Sequence, residues 1–315
     1  MGRAVGIDLG GTKTMGVLLV DGEVVARCKK ATPRKGGPDD VLAVVAAVVD
    51  AVDPGGGAPL GIGVPGPVRP GSGRVPAAPN LPGWDHEVAV ADELARLTGR
   101  RVVVDNDVNV GTLAEHRLGA GRGTDDLLGV FVGTGVGAGL VLDGRLRHGP
   151  RGLAGEIGHT FVAFRDLRDP EVPGRGELED YAGRNALERR ARHLHEQGRP
   201  TLLVELAGRK RMKSRIWAEA VEAGDEVATE LVADAASALA AALASVVALV
   251  DVERVVLGGG LAERLGRPFR TAVEAELAER AFAGGGVPVV PAALGDVGGA
   301  IGAALRVGDE GGPRP

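Results

Sequence analysis

Cysteine is almost missing from this chain: Cys28 is the only one in 315 residues. An intramolecular disulfide is excluded, and so is a zinc site built from several cysteines. Aromatic residues are scarce as well, at 3%, so the core has to be assembled mainly from Ala, Val and Leu. Positive charge is not in excess. The net charge is −5, and no basic stripe with interleaved aromatics offers a nucleic-acid surface. Arg209-Lys210-Arg211 reads as a solvated face. The N-terminus enters strand-like sequence almost at once, without the basic and apolar segments of a secretory signal. Ala235 to Val250 is uncharged, but it is Ala-rich, shorter than a span and flanked by Asp234 and Asp251. It is expected to be a buried helix, not a membrane crossing, and the expected location is cytoplasmic.

What the chain does have is glycine, 52 residues of it. The glycines fall at strand ends and between periodic apolar segments, which marks turns in place of low complexity. Hydrophobic residues at 44% and charged residues at 25% are ordinary for a globular protein. The length suffices for a sizeable core and two domains.

Two glycine hairpins organise the sequence. Ile7-Asp8-Leu9-Gly10-Gly11-Thr12-Lys13 is followed by Gly16-Val17-Leu18-Leu19-Val20-Asp21-Gly22, and Phe131-Val132-Gly133-Thr134-Gly135-Val136-Gly137 by Gly139-Leu140-Val141-Leu142-Asp143-Gly144. A strand, a glycine turn, a second strand and a short turn therefore occur twice. Backbone N–H groups pointing into a concave glycine turn suit phosphate oxygens. Two such turns in related halves predict a polyphosphate held between lobes.

The rest of the chain reads as α/β. Arg3 to about Thr32 is expected to form two or three antiparallel strands. Asp39 is expected to cap a helix over Val41 to Val52, ended by Pro54 and Gly55. A buried strand follows at Leu60 to Val68, a helix at Val88 to Thr98 stopped by Gly99, a strand at Arg101 to Asp105 and a helix at Asn109 to Leu118. The second half holds hairpin strands over Leu127 to His148, then a loop-rich stretch from Gly149 to about Gly176. Helices lie between Leu178 and Leu249, with strands at Arg254 to Leu257 and Val287 to Pro291. A closing helix at Val297 to Arg306 precedes a disordered tail, Gly311 to Pro315.

Neither hairpin is a Walker loop, because Thr12 stands where that motif needs lysine. Gly133, Gly135, Gly137 and Gly139 are misspaced for a dinucleotide fingerprint and lead into a strand instead of a helix. Each turn alone is explained as a tight hairpin; the pairing favours phosphate. Asp8 ends an apolar strand beside the first turn, where a carboxylate can hold Mg²⁺ through water. Thr12, Lys13, Thr134 and the backbone of Gly135 can donate to phosphate oxygens. Gly258-Gly259-Gly260 lets backbone approach a flat ligand, a candidate adenosine platform with a strand-to-helix turn as its plainer reading.

Between the turns, Asp105-Asn106-Asp107-Val108-Asn109 places carboxylates and amides at the carboxyl end of a buried strand, where open α/β sheets carry their chemistry. A turn at Asn106 would separate the two acids; helix capping by Asp107 or Asn109 is the alternative. Gly155-Glu156-Ile157-Gly158-His159 brings an acid and an imidazole together in a glycine-flanked loop. As a metal ligand His159 would need partners, and no cysteine follows. Glu177, Glu179 and Asp180 open the next helix, where acids also suit the helix dipole.

Taken together, these segments resemble the ROK family (repressors, open reading frames and sugar kinases) from Val5 to about Leu305. Asp8 to Lys13 resembles its first phosphate motif and Gly133 to Gly137 its second. Gly61 to Val68 with Ala78-Pro79-Asn80-Leu81 is similar to the sugar-side loop, and Asn106 to Asn109 to the segment with the catalytic aspartate. Gly155 to His159 is similar to the sugar-contacting segment. The resemblance implies an α/β, two-lobed actin-like ATPase fold, ribonuclease H-like and duplicated, with the active site in the interlobe cleft. Residues 1–118, completed by the helix near 297–307, would form the smaller lobe, and residues 119–296 the larger.

The resemblance further implies ATP-dependent phosphorylation of a hexose at the 6-hydroxyl, glucose before others, with Asp107 as general base. Gly66, Asn80, Asn106, Glu156, His159 and Glu179 would hold the sugar. Asp8, Gly10, Gly11, Thr12, Lys13, Thr134, Gly135 and Gly258, Gly259 and Gly260 would hold ATP, with Mg²⁺ on Asp8 through water. A homodimer is implied, with neither nucleic acid nor membrane as partner. Alternatives are an amino-sugar kinase (glucosamine, kanosamine or N-acetylmannosamine), polyphosphate as donor, and a non-catalytic sugar-sensing regulator. The family's repressors place a DNA-binding module before the first motif; only seven residues precede Asp8 here.

One departure stands out. Family kinases follow the Gly-His segment with Cys-x-Cys-Gly-x-x-Gly-Cys-x-Glu, which binds zinc together with the histidine. Here Glu171-Val172-Pro173-Gly174-Arg175-Gly176-Glu177-Leu178-Glu179 keeps glycines and the last glutamate but no cysteine. No zinc is expected, which would leave His159 for sugar contact alone, and the loop from Thr160 to Arg175 would be ordered otherwise, for instance by Arg–carboxylate pairs, or be mobile until sugar binds.

Overall fold

Apolar residues on alternate positions from Arg3 onward form β1 (Arg3–Leu9), β2 (Lys13–Val20) and β3 (Glu23–Ala31), an antiparallel meander turned at the first glycine motif and at Asp21-Gly22. The computed structural model describes residues 2–163, 175–284 and 286–309. The expected tail and residues 164–174 of the cysteine-free stretch lie outside the described residues.

Helix α1 (Pro38–Val52) is capped by Gly37, not by Asp39. Pro38 sets the first helical φ two residues earlier than a cap at Asp39 implies, and Asp40 accepts from the Gly37 N–H at 3.0 Å. Strand β4 (Leu60–Val64) is wholly buried and ends where Pro65 can no longer donate to a ladder, four residues short of the expected Val68. Next come α2 (Val90–Thr98), closed by left-handed Gly99, then β5 (Val102–Asn106) and α3 (Asp107–Leu118). The latter pair starts one residue later and two residues earlier than expected. Strands β6 (Leu127–Val132), β7 (Val136–Leu142) and β8 (Arg145–Arg147) follow. The helical stretch comprises α4 (Leu178–Ala182), α5 (Arg184–Glu196), α6 (Leu202–Ala207), α7 (Ser214–Glu222) and α8 (Glu226–Val250). The chain then forms β9 (Arg254–Gly258), α9 (Ala262–Arg280), β10 (Val289–Pro291) and α10 (Gly298–Asp309).

The two sheets repeat one strand order: β3-β2-β1-β4-β5 in the first and β8-β7-β6-β9-β10 in the second. In the first, β4 runs parallel to β1 and β5 to β4; in the second, β9 runs parallel to β6 and β10 to β9. The duplication suggested by the paired hairpins thus extends to the topology.

The chain divides into two units: residues up to Gly123, Gly139–Gly155 and those from Ala293 form one, and Thr124–Ala138 with Glu156–Ala292 the other. This differs from a boundary at 118/119, because residues 139–155 cluster with the first unit.

Period-two alternation settles the first unit's core. Val5, Ile7 and Leu9 face Val41, Leu42, Val45 and Val48 of α1, while Ala4 faces Ala300, Ile301 and Ala304 of α10 on the other side. Gly6 and Gly61 are register partners on β1 and β4. A Cβ on Gly6 would lie 1.9 Å from the Ala300 carbonyl oxygen, and one on Gly61 1.8 Å from that of Ala303. Neighbouring glycines let α10 lie against the sheet at backbone distance. Where α10 crosses α3, a Cβ on Gly302 would lie 1.7 Å from the Val110 oxygen.

In the second unit, the run expected to be a buried helix belongs to α8, whose 25 residues are long and apolar enough to cross a membrane by length and composition. Leu231, Ala235, Leu239 and Leu243 are buried at helical spacing. Burial does not reach the helix end, where Leu249 is 82% exposed.

Gly61→Ala pushes α10 off the sheet and is expected to lower unfolding stability by about 2 kcal/mol or more. A urea midpoint equal to that of the wild type would refute the close-approach reading.

Candidate functional site

In the first unit, β1 delivers Asp8 to the start of the glycine turn, on the strand face that meets α10. A Cβ on Gly299 would come within 2.9 Å of the Asp8 carboxyl carbon. Among the described residues no hydrogen bond or ion pair reaches this carboxylate. Burial pushes its pKa up to about 6, the Lys13 charge opposing and the Asp296 charge adding to the shift. Gly10 N–H donates to the Lys13 oxygen at 2.9 Å, and the Thr32 hydroxyl donates to the Gly10 oxygen at 2.6 Å, fixing the turn. Thr12 at its tip is exposed. Lys13 is engaged: its Nζ lies 2.6 Å from Asp296 Oδ1. Asn80 is exposed, and its backbone packs on Gly11, where a Cβ would lie 2.6 Å from the Asn80 oxygen.

The strand-to-helix turn at β5–α3 corrects one expectation. The cap of α3 is Asn106, neither Asp107 nor Asn109: its Oδ1 accepts from Val108 and Asn109 N–H at 2.9 and 3.0 Å. Its Nδ2 donates to the Gly66 oxygen at 3.0 Å and to Asp107 Oδ1 at 3.1 Å. Both donors and both acceptor positions of the amide are occupied in this arrangement, and Asn106 orients Asp107. Gly66, at φ +93°, presents that carbonyl from a backbone conformation suited to glycine.

Asp105 is drawn away from Asp107, as a turn at Asn106 requires. Its Oδ2 accepts from Arg306 Nε and faces His148 Nε2, each at 2.7 Å, and Oδ1 accepts from Asn106 N–H at 2.8 Å. Burial opposes its ionisation, but His148 and Arg306 outweigh that and hold the carboxyl below its usual range. The sequence pattern had singled out neither basic partner.

In the second unit the glycine turn closes through Gly133 N–H donating to the Gly135 oxygen at 2.9 Å. Glu179 caps it: Val136 N–H donates to its Oε2 at 2.8 Å, and a Cβ on Gly135 would collide with that oxygen. The short 3-10 turn Ile157–His159 packs beside it, since a Cβ on Gly158 would lie 2.3 Å from the Val136 oxygen. Thr134, Gly135, Glu156, His159 and Glu179 are therefore assembled in one place. Burial pushes the Glu156 carboxyl up, His159 opposing and Glu179 reinforcing.

Glu177 occupies the position of the pattern's third cysteine, and its Oε2 lies 3.0 Å from His159 Nδ1. Around this bond a short ladder forms. Leu178 N–H donates to Thr160 and Val162 N–H to Gly176, both at 2.9 Å, while the Arg175 guanidinium sits 5.6 Å from the Phe161 ring centre. A direct His–Glu bond thus joins the two strands of sequence that flank residues 164–174.

The α5 start adds a residue that sequence reasoning missed. Arg184 Nη2 donates to Thr134 Oγ1 at 3.0 Å and Nη1 to Ser214 Oγ at 3.2 Å. The Gly258-Gly259-Gly260 run packs on the end of β6: a Cβ on Gly259 would lie 2.5 Å from the Val132 nitrogen. Beside it lies a cavity of about 410 Å³ lined by Leu257, Ala262, Pro291 and Arg270 among others.

The sequence matches the ROK family over residues 4–310. The chain belongs to the ROK family. This ROK chain is 34% identical over 267 residues to the glucokinase of Thermotoga maritima, 82% of each chain being covered. The crystal structure of a ROK hexokinase from Thermus thermophilus superposes with a TM-score of 0.83 at 31% identity, over 98% of this chain and 100% of that one. A ROK glucokinase from Streptomyces griseus, solved with glucose and AMPPNP, gives 0.78 at 29% identity over 97% and 99%. The fold is therefore the actin-like ATPase fold of the ROK kinases.

Two predictions come from the charges. Asp8 carries a folded-state pKa above its unfolded value of 3.8, so its ionisation destabilises the ligand-free protein as pH rises from about 4 through about 6. The penalty above that range is on the order of 3 kcal/mol. Asp8→Asn is expected to melt above the wild type at pH 8 and level with it at pH 4; equal melting at both would contradict the burial argument. His159 is pushed up by its bond to Glu177, burial opposing and the charges of Glu177, Glu156 and Glu179 assisting. This contact is complete below the ordinary histidine pKa and is lost as pH rises through the raised one. In an NMR titration Glu177→Gln should move the His159 midpoint down, and an unmoved midpoint would dissolve the pair.

Proposed function

We propose that this ROK protein is an ATP-dependent hexose kinase of the glucokinase kind, with glucose as acceptor. The observation that carries the reading is Asp107, a carboxylate at the first turn of α3 whose orientation is set by a fully bonded Asn106. Phosphoryl transfer needs mainly positioning and charge neutralisation. Asp107 takes the proton of the 6-hydroxyl as that oxygen forms its bond to the γ-phosphorus. The bond from the γ-phosphorus to the bridging oxygen breaks, and ADP leaves with the electron pair.

The remaining residues bind and orient. Gly66, Asn80, Glu156, His159 and Glu179 hold the ring, and an acceptor lacking a hydroxyl leaves one of them unpaired. Gly10, Gly11 and Thr12 offer the first turn to phosphate oxygens, with Lys13 bonded to Asp296 in the present arrangement. Thr134 and Gly135 offer the second turn, and Gly258, Gly259 and Gly260 approach the nucleoside. Asp8 fits a divalent cation: a buried carboxylate without a protein partner is the group that one would relieve, and Mg²⁺ held there through water supplies charge neutralisation to the phosphates.

Asp107→Asn should reduce turnover at least a thousandfold, roughly the upper range for a lost general base, while glucose still binds by calorimetry. A coupled assay with hexoses and amino sugars against ATP and polyphosphate reads both acceptor and donor. Near-wild-type rates in the variant would remove Asp107 from the mechanism, and transfer only to an amino sugar would replace glucose.

A further inference from the structure

Among the described residues, Arg184 is a half-buried cation without an ion-pair partner. Neither nitrogen for which a bond is seen meets a carboxylate: one donates to the hydroxyl of Thr134, the other to that of Ser214. Among the described residues Arg184 forms no salt bridge. The acidic group that acts on it electrostatically is Glu188, and that carboxylate is already held by Arg192 at 2.9 Å and by Met212 N–H at 3.1 Å. Burial and the nearby charge of Arg211 both work against the protonated guanidinium. A protein does not gain by desolvating a cation next to another cation, unless an anion completes the site.

The position of Arg184 says which anion. Its backbone N–H donates to the Gly133 oxygen at 3.1 Å, so the residue is fastened to the second glycine turn. Its side chain runs from Thr134 to Ser214, and Ser214 Oγ lies 3.8 Å from the place a Cβ on Gly260 would take. The guanidinium thus bridges the phosphate turn and the glycine run read as the nucleoside platform, all within one unit. A planar fork of donors at that point matches the oxygens of a phosphate chain.

We propose that Arg184 is a donor-binding residue that holds the non-transferred phosphates of the nucleotide, with Thr134 and Ser214 fixing its fork. The assignment rests on the kinase reading above and adds to it the residue that grips the donor between its two glycine elements. It also accounts for Ser214, a buried hydroxyl at the start of α7 with no other assigned task.

The test separates charge from architecture. Arg184→Gln keeps an amide able to donate to a hydroxyl but removes the positive charge, and Arg184→Lys keeps the charge without the fork. The Gln variant is expected to raise the KM for ATP at least tenfold, with the KM for glucose within twofold and melting temperature within a few degrees of wild type. The Lys variant should recover part of the loss. By calorimetry the same Gln change should weaken binding of ADP and of inorganic tripolyphosphate by a similar factor.

An unchanged ATP KM and unchanged probe binding in the Gln variant overturn the proposal. So does a loss that falls equally on ATP and glucose, which marks a purely structural arginine. The two readings fail separately. A wild type that phosphorylates glucose with no dependence on Arg184 leaves the kinase standing without this residue. A wild type that binds both probes through Arg184 yet transfers to no sugar leaves the phosphate site standing without the kinase.

Discussion

The contact on which the first half of the site depends is the backbone approach of α10 to β1 and β4. It exists because Gly6 and Gly61 are neighbours across the sheet and both lack a side chain on the helix-facing side. At that distance α10 and the residues before it reach three separate points. Gly299 closes over Asp8, Asp296 meets Lys13, and Arg306 bonds to Asp105. Asp105 in turn accepts from the Asn106 N–H, and Asn106 orients Asp107. A packing rule between a helix and a sheet is therefore translated, through Arg306, Asp105 and Asn106, into the direction of one carboxylate.

Each unit also holds a charge that, among the described residues, forms no ion pair. In the first it is the carboxylate of Asp8, in the second the guanidinium of Arg184. Two other buried acids are paired: Asp53 with Arg100 at 2.6 Å, and Asp105 with Arg306 and His148. The contrast shows that the chain can satisfy buried ions where only stability is at stake. Asp8 and Arg184 are the two positions at which the proposed cation and phosphate would supply the counter-charge. The His159–Glu177 bond is the opposite case, a contact made wholly within the protein.

Much of this was legible in the sequence, because glycine turns and period-two alternation are local signals. Both hairpins, the strands around them and the repeat of their order follow from runs of a few residues. The cap of α3 was harder. Asp107, Asn109 and Asn106 are all competent caps in one short stretch, and only the helix start decides among them. Of the four internal bonds of Asn106, three are to its next three residues, and the fourth is to Gly66, distant in sequence. Arg306 meets Asp105 across 201 positions, and no spacing rule links them. Arg184 opens a helix that also carries Arg189, Arg190 and Arg192, so composition alone describes a solvated face; only the hydroxyls of Thr134 and Ser214 single it out.

The docking of α10 on the first strand of the chain makes the first unit discontinuous in sequence, and this sets an order of assembly. Thr124–Ala138 and Glu156–Ala292 can complete their unit while the chain is still being synthesised. The first unit has its sheet early but not its lid of Ala300, Ile301 and Ala304, so the apolar face of β1 and β2 stays uncovered until the last helix leaves the ribosome. The nascent chain therefore passes through a stage in which the second unit is finished and the unit carrying Asp107 is not, and premature termination before Arg306 leaves Asp105 without its guanidinium.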